Sequence, residues 1–185
     1  MIGEPAQARS VFFALQPDDS VAMQLMQAAS RARDTGLFRG GRPSRTYHMT
    51  LHFLGAFAEL PAQLVRDATA AAESIRFAPF EFALDRIETF AATKPPCVLR
   101  SDEATDSRLR EFHFTLTAAL KEVGLGGHPA RAHFAPHVTL AYAHARVAQP
   151  LALESIIWPV REFVLLESLV GRTTHNRLGA WPLIS

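Results

Sequence analysis

Apolar positions along the chain recur with two periods, and the switches between them mark the elements. SVFFALQ (10–16) is a run of strand formers followed by Pro17-Asp18-Asp19-Ser20, which predicts a strand feeding a helix cap. Residues 21–33 carry apolar side chains at helical spacing. Residues 35–45 hold three glycines, a proline and three arginines, a basic loop. TYHMTLHFLG (46–55) then reads as a strand that stops at Gly55. A helix is predicted over 60–75 with a proline near its start, an alternating strand over 80–91, and a turn with a short strand over 93–101. Residues 106–124 form an amphipathic helix ending at glycine, and a glycine-rich loop leads into the strand PHVTLAY. Residues 161–170 and 180–184 read as closing strands. Strands and helices alternate without a strict parallel βαβ signature, so the pattern predicts an α+β fold with mixed or antiparallel sheets. No linker divides the chain, and 1–185 is read as one domain of two lobes.

Within this pattern one segment is repeated. YHMTLHFLG (47–55) lines up with PHVTLAYAH (136–144), and the two histidines stand 137 − 48 = 89 residues apart, about half the chain. Residues i and i+2 of a strand share a face, so His48 lies beside Thr50 and His137 beside Thr139. Tyr47, Met49, Leu51, Val138 and Leu140 fall on the opposite, core-forming face. A single His-x-Thr-Leu is most simply a packed, hydrogen-bonded pair in a half-buried strand. Two copies related by an approximate twofold axis bring two imidazoles and two hydroxyls around one cleft. In-line displacement at phosphorus needs a base on the attacking oxygen and an acid on the leaving oxygen, and two histidines near neutral pKa supply both. The threonine hydroxyls are placed to donate to the non-bridging oxygens as their charge grows.

HMTL (48–51) and HVTL (137–140) resemble the paired His-x-Thr/Ser-x signature of the two-histidine (2H) phosphoesterases. SVFFALQP, YHMTLHFLG, FAPHVTLAY and EFVLLES, in this order over nearly the whole chain, resemble the bacterial and archaeal RNA 2′,3′-cyclic phosphodiesterases, once described as 2′-5′ RNA ligases. The resemblance implies a two-lobed α+β fold with pseudo-twofold symmetry and mostly antiparallel sheets. It implies a site that needs no metal or cofactor and opens a 2′,3′-cyclic phosphate at an RNA end to a 2′-phosphate. His48 and His137 carry over as the acid/base pair, with either one as the acid, and Thr50 and Thr139 as phosphate binders. The chain departs from the pattern where relatives carry an arginine five residues after the second histidine: here that position is Tyr142, a donor without charge. Arg39, Arg42 and Arg45 of the basic loop are candidates to replace that charge, unless they form an ordinary solvated loop. Relatives also carry an arginine at the start of the first strand, where this chain has Arg9 and Ser10.

Composition narrows the partners. A net charge of +1 is far from the basic balance of a protein that holds duplex nucleic acid through its phosphates alone, although the cations are 17 arginines against 2 lysines. The single cysteine, Cys97, excludes an intramolecular disulfide, and with no signal core or run of about 18 apolar residues the expectation is a cytoplasmic protein without a membrane span. The expected partners are RNA ends or small cyclic phosphates, bound by a monomer. His52 shares a face with His48 by simple alternation and is a candidate for the cleft. His128, His133 and His137 lack a carboxylate companion and match no zinc spacing. Phe12, Phe13, Phe53 and Phe134 are candidates to stack a terminal base, with core packing the simpler role for most. Three functions stay open: an RNA-end cyclic phosphodiesterase, a 2H enzyme for a small cyclic nucleotide or ADP-ribose cyclic phosphate, and a non-catalytic nucleotide- or RNA-binding module.

Overall fold

A computed structural model describes residues 8–101, 106–126, 134–169 and 173–185. Among them the chain forms strands β1 (Arg9–Leu15), β2 (Met49–Phe57), β3 (Phe80–Thr89), β4 (Pro96–Arg100), β5 (Val138–Tyr142), β6 (Leu151–Val160), β7 (Glu162–Leu169) and β8 (His175–Pro182). Three helices accompany them: α1 (Asp19–Asp34), α2 (Ala62–Ser74) and α3 (Ser107–Glu122). The predicted cap of α1 is present, with the Asp18 carboxylate accepting from the Val21 N–H at 2.8 Å. The α+β class holds, and one antiparallel sheet takes the place of separate sheets.

The strand order is β6-β3-β4-β5-β2-β1-β7-β8. It consists of two four-stranded halves whose innermost strands, β5 and β2, are the two motif strands. They run antiparallel and meet through one register pair, Met49 opposite Val138, both fully buried. In each half the motif strand neighbours the strand that precedes it across one helix: β1-α1-β2 in one, β4-α3-β5 in the other.

The helices cover one face of this sheet. Val11, Phe13 and Leu15 point into that core, while Phe12 and Ala14 join Val164, Leu166 and the half-buried Phe53 on the other face. Tyr47, Met49, Leu51, Val138 and Leu140 are buried in the helix-side core, as alternation predicts. Alternation fails one residue later. Phe13 pairs with His52 and Ala14 with Thr50, so Leu51 is an extra residue in β2, a β-bulge that reverses the faces until a second extra residue, Leu54, shifts the register again. His52 therefore points to the helix side, beside Thr117 of α3, and not into the cleft with His48.

Three further expectations differ. β2 continues past Gly55, because that glycine is required inside the strand: its φ is 149°, and a Cβ there would stand 2.6 Å from the Phe57 ring. β6 has no counterpart in the sequence reading. It is the outermost strand next to β3, it carries Pro159, and its inward Ile156, Trp158 and Val160 alternate with exposed residues only in its second half. β8 begins at His175, well before the expected residue 180.

The helix-side core centres on Phe163, which lies within 6 Å, ring to ring, of Phe13, Phe112 and Trp181. Phe163→Ala is expected to cost about 3–5 kcal/mol, read as a lower denaturant midpoint at unchanged slope.

Candidate active site

Both motif histidines stand at the entrance of their strands, where the backbone two residues earlier offers a carbonyl. His48 Nδ1 donates to the Thr46 carbonyl at 2.8 Å, and His137 Nδ1 donates to the Ala135 carbonyl at 2.7 Å. A carbonyl only accepts, so in each neutral imidazole the proton sits on Nδ1 and the lone pair on Nε2. A prolyl-started 3₁₀ turn, Ser44–Thr46 after Pro43, fixes the first of these carbonyls, and the buried Pro136 sits between Ala135 and His137 in the second.

The register at Met49 and Val138 sets the mutual placement. One residue to either side of that pair, His48 falls opposite Thr139 and Thr50 opposite His137 on the face away from the helices. The four side chains are half-buried, between fully buried core residues and solvent. The His137 imidazole is close enough for its charge to be felt at His48, where it is one of the groups that depress the pKa. The structure thus brings together all four residues expected from the two motifs.

Their surroundings are unequal. The His48 ring packs on Phe12 at 5.0 Å and meets His175 edge-on at 4.8 Å. Burial pushes its pKa down to about 4; the Thr46 carbonyl opposes this, and His175, Arg42 and His137 add to it. His137 is edge-on to Phe90 at 4.9 Å. Its pKa is also lowered, first by burial, with the Ala135 carbonyl opposing; Arg100 lowers it further and Glu88 raises it. Arg100 and Glu88 form an ion pair at 2.6 Å, so the charges beside His137 largely offset each other. Among the described residues no carboxylate is found to offset Arg42 at His48.

Of the three loop arginines, Arg42 is the one that acts on the site. Its backbone N–H donates to the Leu140 carbonyl of β5 at 2.9 Å, and its guanidinium lowers the pKa of both His48 and His175. Arg45 donates to the Thr173 hydroxyl at 3.2 Å, and Arg39 is exposed. Tyr142 is 54% exposed at the end of β5. Arg9 pairs with the buried Glu167, whose strand partner is the core residue Val11, so Arg9 serves the helix-side face.

The aromatic candidates divide. Phe13 is core, Phe12 supports the His48 ring, Phe53 packs on Phe12, and Phe134 stacks on His113 at 3.9 Å. His128 and His133 lie outside the described residues. His175, Phe90, Glu88 and Arg100 escaped the sequence reading. Glu88 had a faint signal, since charged and apolar residues are interleaved along β3, but Arg100, which follows the apolar run of β4, and His175 had none.

A symmetric pair of His/Thr strands at the centre of an antiparallel α+β sheet defines the class of the two-histidine phosphoesterases. Comparison with known proteins places the chain more narrowly. The family model of the 2′-5′ RNA ligase superfamily matches residues 17–172, and the chain belongs to that superfamily. A crystal structure of a Thermus thermophilus protein is 26% identical, covering 94% of this chain and 97% of that one with a TM-score of 0.73. E. coli LigT in apo form is 22% identical over 97% of this chain and 99% of its own, with a TM-score of 0.75, and its complex with 3′-AMP gives 23% and 0.74. No curated protein matches the chain. Among the described residues no helix is long and apolar enough to cross a membrane.

Two measurements check this geometry. Nitrogen-15 NMR at pH 7 is expected to find His48 and His137 protonated at Nδ1 and bare at Nε2. Acid stability follows from the depressed histidines, His48, His52, His113, His137 and His175. Each binds a proton more weakly folded than unfolded, so their contribution is complete above the unfolded value near 6.5 and is lost as pH falls. The melting temperature is expected to drop between pH 6.5 and about 4, the folded value of His48 and His113, and His113→Phe is expected to flatten that drop.

Proposed function

We propose that the protein hydrolyses RNA 2′,3′-cyclic phosphate ends to 2′-phosphates by metal-independent two-histidine catalysis. The observation that carries this reading is the pair of Nε2 atoms left free by the Thr46 and Ala135 carbonyls, one on each side of the junction between β2 and β5. Crystal structures of E. coli LigT with 3′-AMP, ATP, NADP+ and phosphate associate that fold with phosphate-bearing ligands.

The cyclic phosphate lies between the imidazoles with its non-bridging oxygens toward Thr50 and Thr139. A water attacks phosphorus as one Nε2 accepts its proton; the bond from phosphorus to the 3′ oxygen breaks as the other Nε2 gives that oxygen a proton. The product carries a 2′-phosphate and a free 3′-hydroxyl, and the two histidines have exchanged protonation states. The surroundings favour His48 as the base, because burial first, and then the charges of His175 and Arg42, keep it neutral. They favour His137 as the acid, because Glu88 offsets Arg100 there. In the ligating direction the roles reverse.

The test is hydrolysis of an oligonucleotide ending in a 2′,3′-cyclic phosphate with EDTA present. His48→Ala and His137→Ala are each expected to lose about 10²- to 10⁴-fold in kcat/KM, and Thr50→Val or Thr139→Val about 10²-fold. On a 4-nitrophenyl ester of a nucleoside 2′-phosphate, whose leaving group needs no acid, His137→Ala is expected to recover activity and His48→Ala is not. Activity that survives both histidine substitutions, or that dies with EDTA, would sink the mechanism. Turnover of cyclic mononucleotides alone would move the substrate to the small cyclic phosphates.

A further inference from the structure

The two motif strands are nearly equivalent, and what surrounds them is not. On the His137 flank the cation is already matched: Arg100 is held by Glu88 at 2.6 Å. On the His48 flank two arginines arrive without an acidic partner among the described residues. Arg42 is pinned by its own backbone to Leu140, the residue after Thr139, and its charge is felt at His48 and His175 as well as at Tyr47. Arg45, three residues on, ties its loop to Thr173 and so closes the 42–46 loop against the segment that enters β8. His175 begins that strand, stands edge-on to His48 at 4.8 Å and to Phe12 at 5.9 Å, and leaves a buried Nδ1 without a hydrogen bond. An unpaired buried N–H is costlier than an unpaired lone pair, so the neutral ring keeps its proton on Nε2, where it serves as a donor.

A planar guanidinium and an N–H donor beside the site proposed to take one phosphate suit a second anionic oxygen group. We propose that Arg42 and His175, with Arg45 behind them, form a second phosphate subsite on the His48 side of the cleft, so that the preferred ligand carries two phosphates. This rests on the phosphoesterase reading above and sharpens it. The second phosphate has two chemical sources. It is the 3′-5′ diester of the preceding nucleotide in an RNA end, or a 5′-phosphate on the same nucleoside in a small molecule. Through Arg42 the chain regains, from the other half of the sheet, a charge that Tyr142 does not provide.

Binding of product-like probes tests this without turnover. Calorimetry at fixed salt would compare adenosine 2′-phosphate, adenosine 2′,5′-bisphosphate and an ApA dinucleotide ending in a 2′-phosphate. At least one two-phosphate probe is expected to bind about tenfold tighter than the monophosphate, the scale of one charge-assisted contact. Arg42→Gln is expected to erase most of that advantage, Arg42→Lys to restore part of it, and His175→Phe to reduce it, with circular dichroism confirming that each variant is folded. An advantage confined to the dinucleotide identifies the diester as the source, and one confined to the bisphosphate identifies the 5′-phosphate. The proposal is overturned if neither two-phosphate probe binds tighter than the monophosphate, or if Arg42→Gln weakens all three in the same proportion. A subsite that passes this test in a protein that opens no cyclic phosphate would leave the subsite standing and remove the proposed reaction.

Discussion

The pairing of Met49 with Val138 is the contact on which the site depends. It is the one register pair between the two motif strands, and both side chains are fully buried. Because β2 and β5 run antiparallel there, a local twofold relation follows from backbone geometry alone, and each histidine is set opposite the other motif's threonine. The larger ladders, β1 with β2 and β4 with β5, hold each strand within its own half. The junction is narrow, and the Arg42 and Leu37 backbones add hydrogen bonds to the β5 segment from outside it.

Much of this was legible in the sequence, for identifiable reasons. Strict alternation over 47–51 and 137–140 assigned the core and cleft faces correctly, because fully buried residues on one side leave no tolerance for a register slip. The helices followed from periodicity and from caps such as Asp18. What stayed hidden depended on single-residue events or on distant pairing. The extra residue at Leu51 moved His52 to the helix side, and no pattern in the sequence announces a bulge. β6, an edge strand with a proline and one solvent-facing half, lacks the periodicity that reveals a strand. His175 reaches the site only because β8 follows β7 onto the same half of the sheet as β1 and β2.

The two halves also show how a symmetric frame can serve the asymmetric reaction proposed for it. A displacement at phosphorus needs one neutral and one protonated imidazole at a given moment, which two identical sites would supply only by chance occupancy. Here the hydrogen bond that fixes each tautomer is the same on both sides, while the nearby charges differ: Arg42 and His175 on one side, an Arg100–Glu88 pair on the other. The backbone supplies geometry, and the flanking side chains supply the asymmetry on which the proposed direction rests.

The bulge at Leu51 carries a further meaning. It ends the chemical face of β2 after Thr50, so that His52, two positions along the same strand, answers to α3 instead. The tetrapeptide His48-Met49-Thr50-Leu51 is thereby a self-contained insert in a strand whose remainder belongs to the scaffold. A change at position 52 alters the packing against α3 without reaching the cleft, whereas Phe53 turns back to the cleft side against Phe12. One unpaired residue thus sets two histidines of a single strand, His48 and His52, to opposite sides of the sheet.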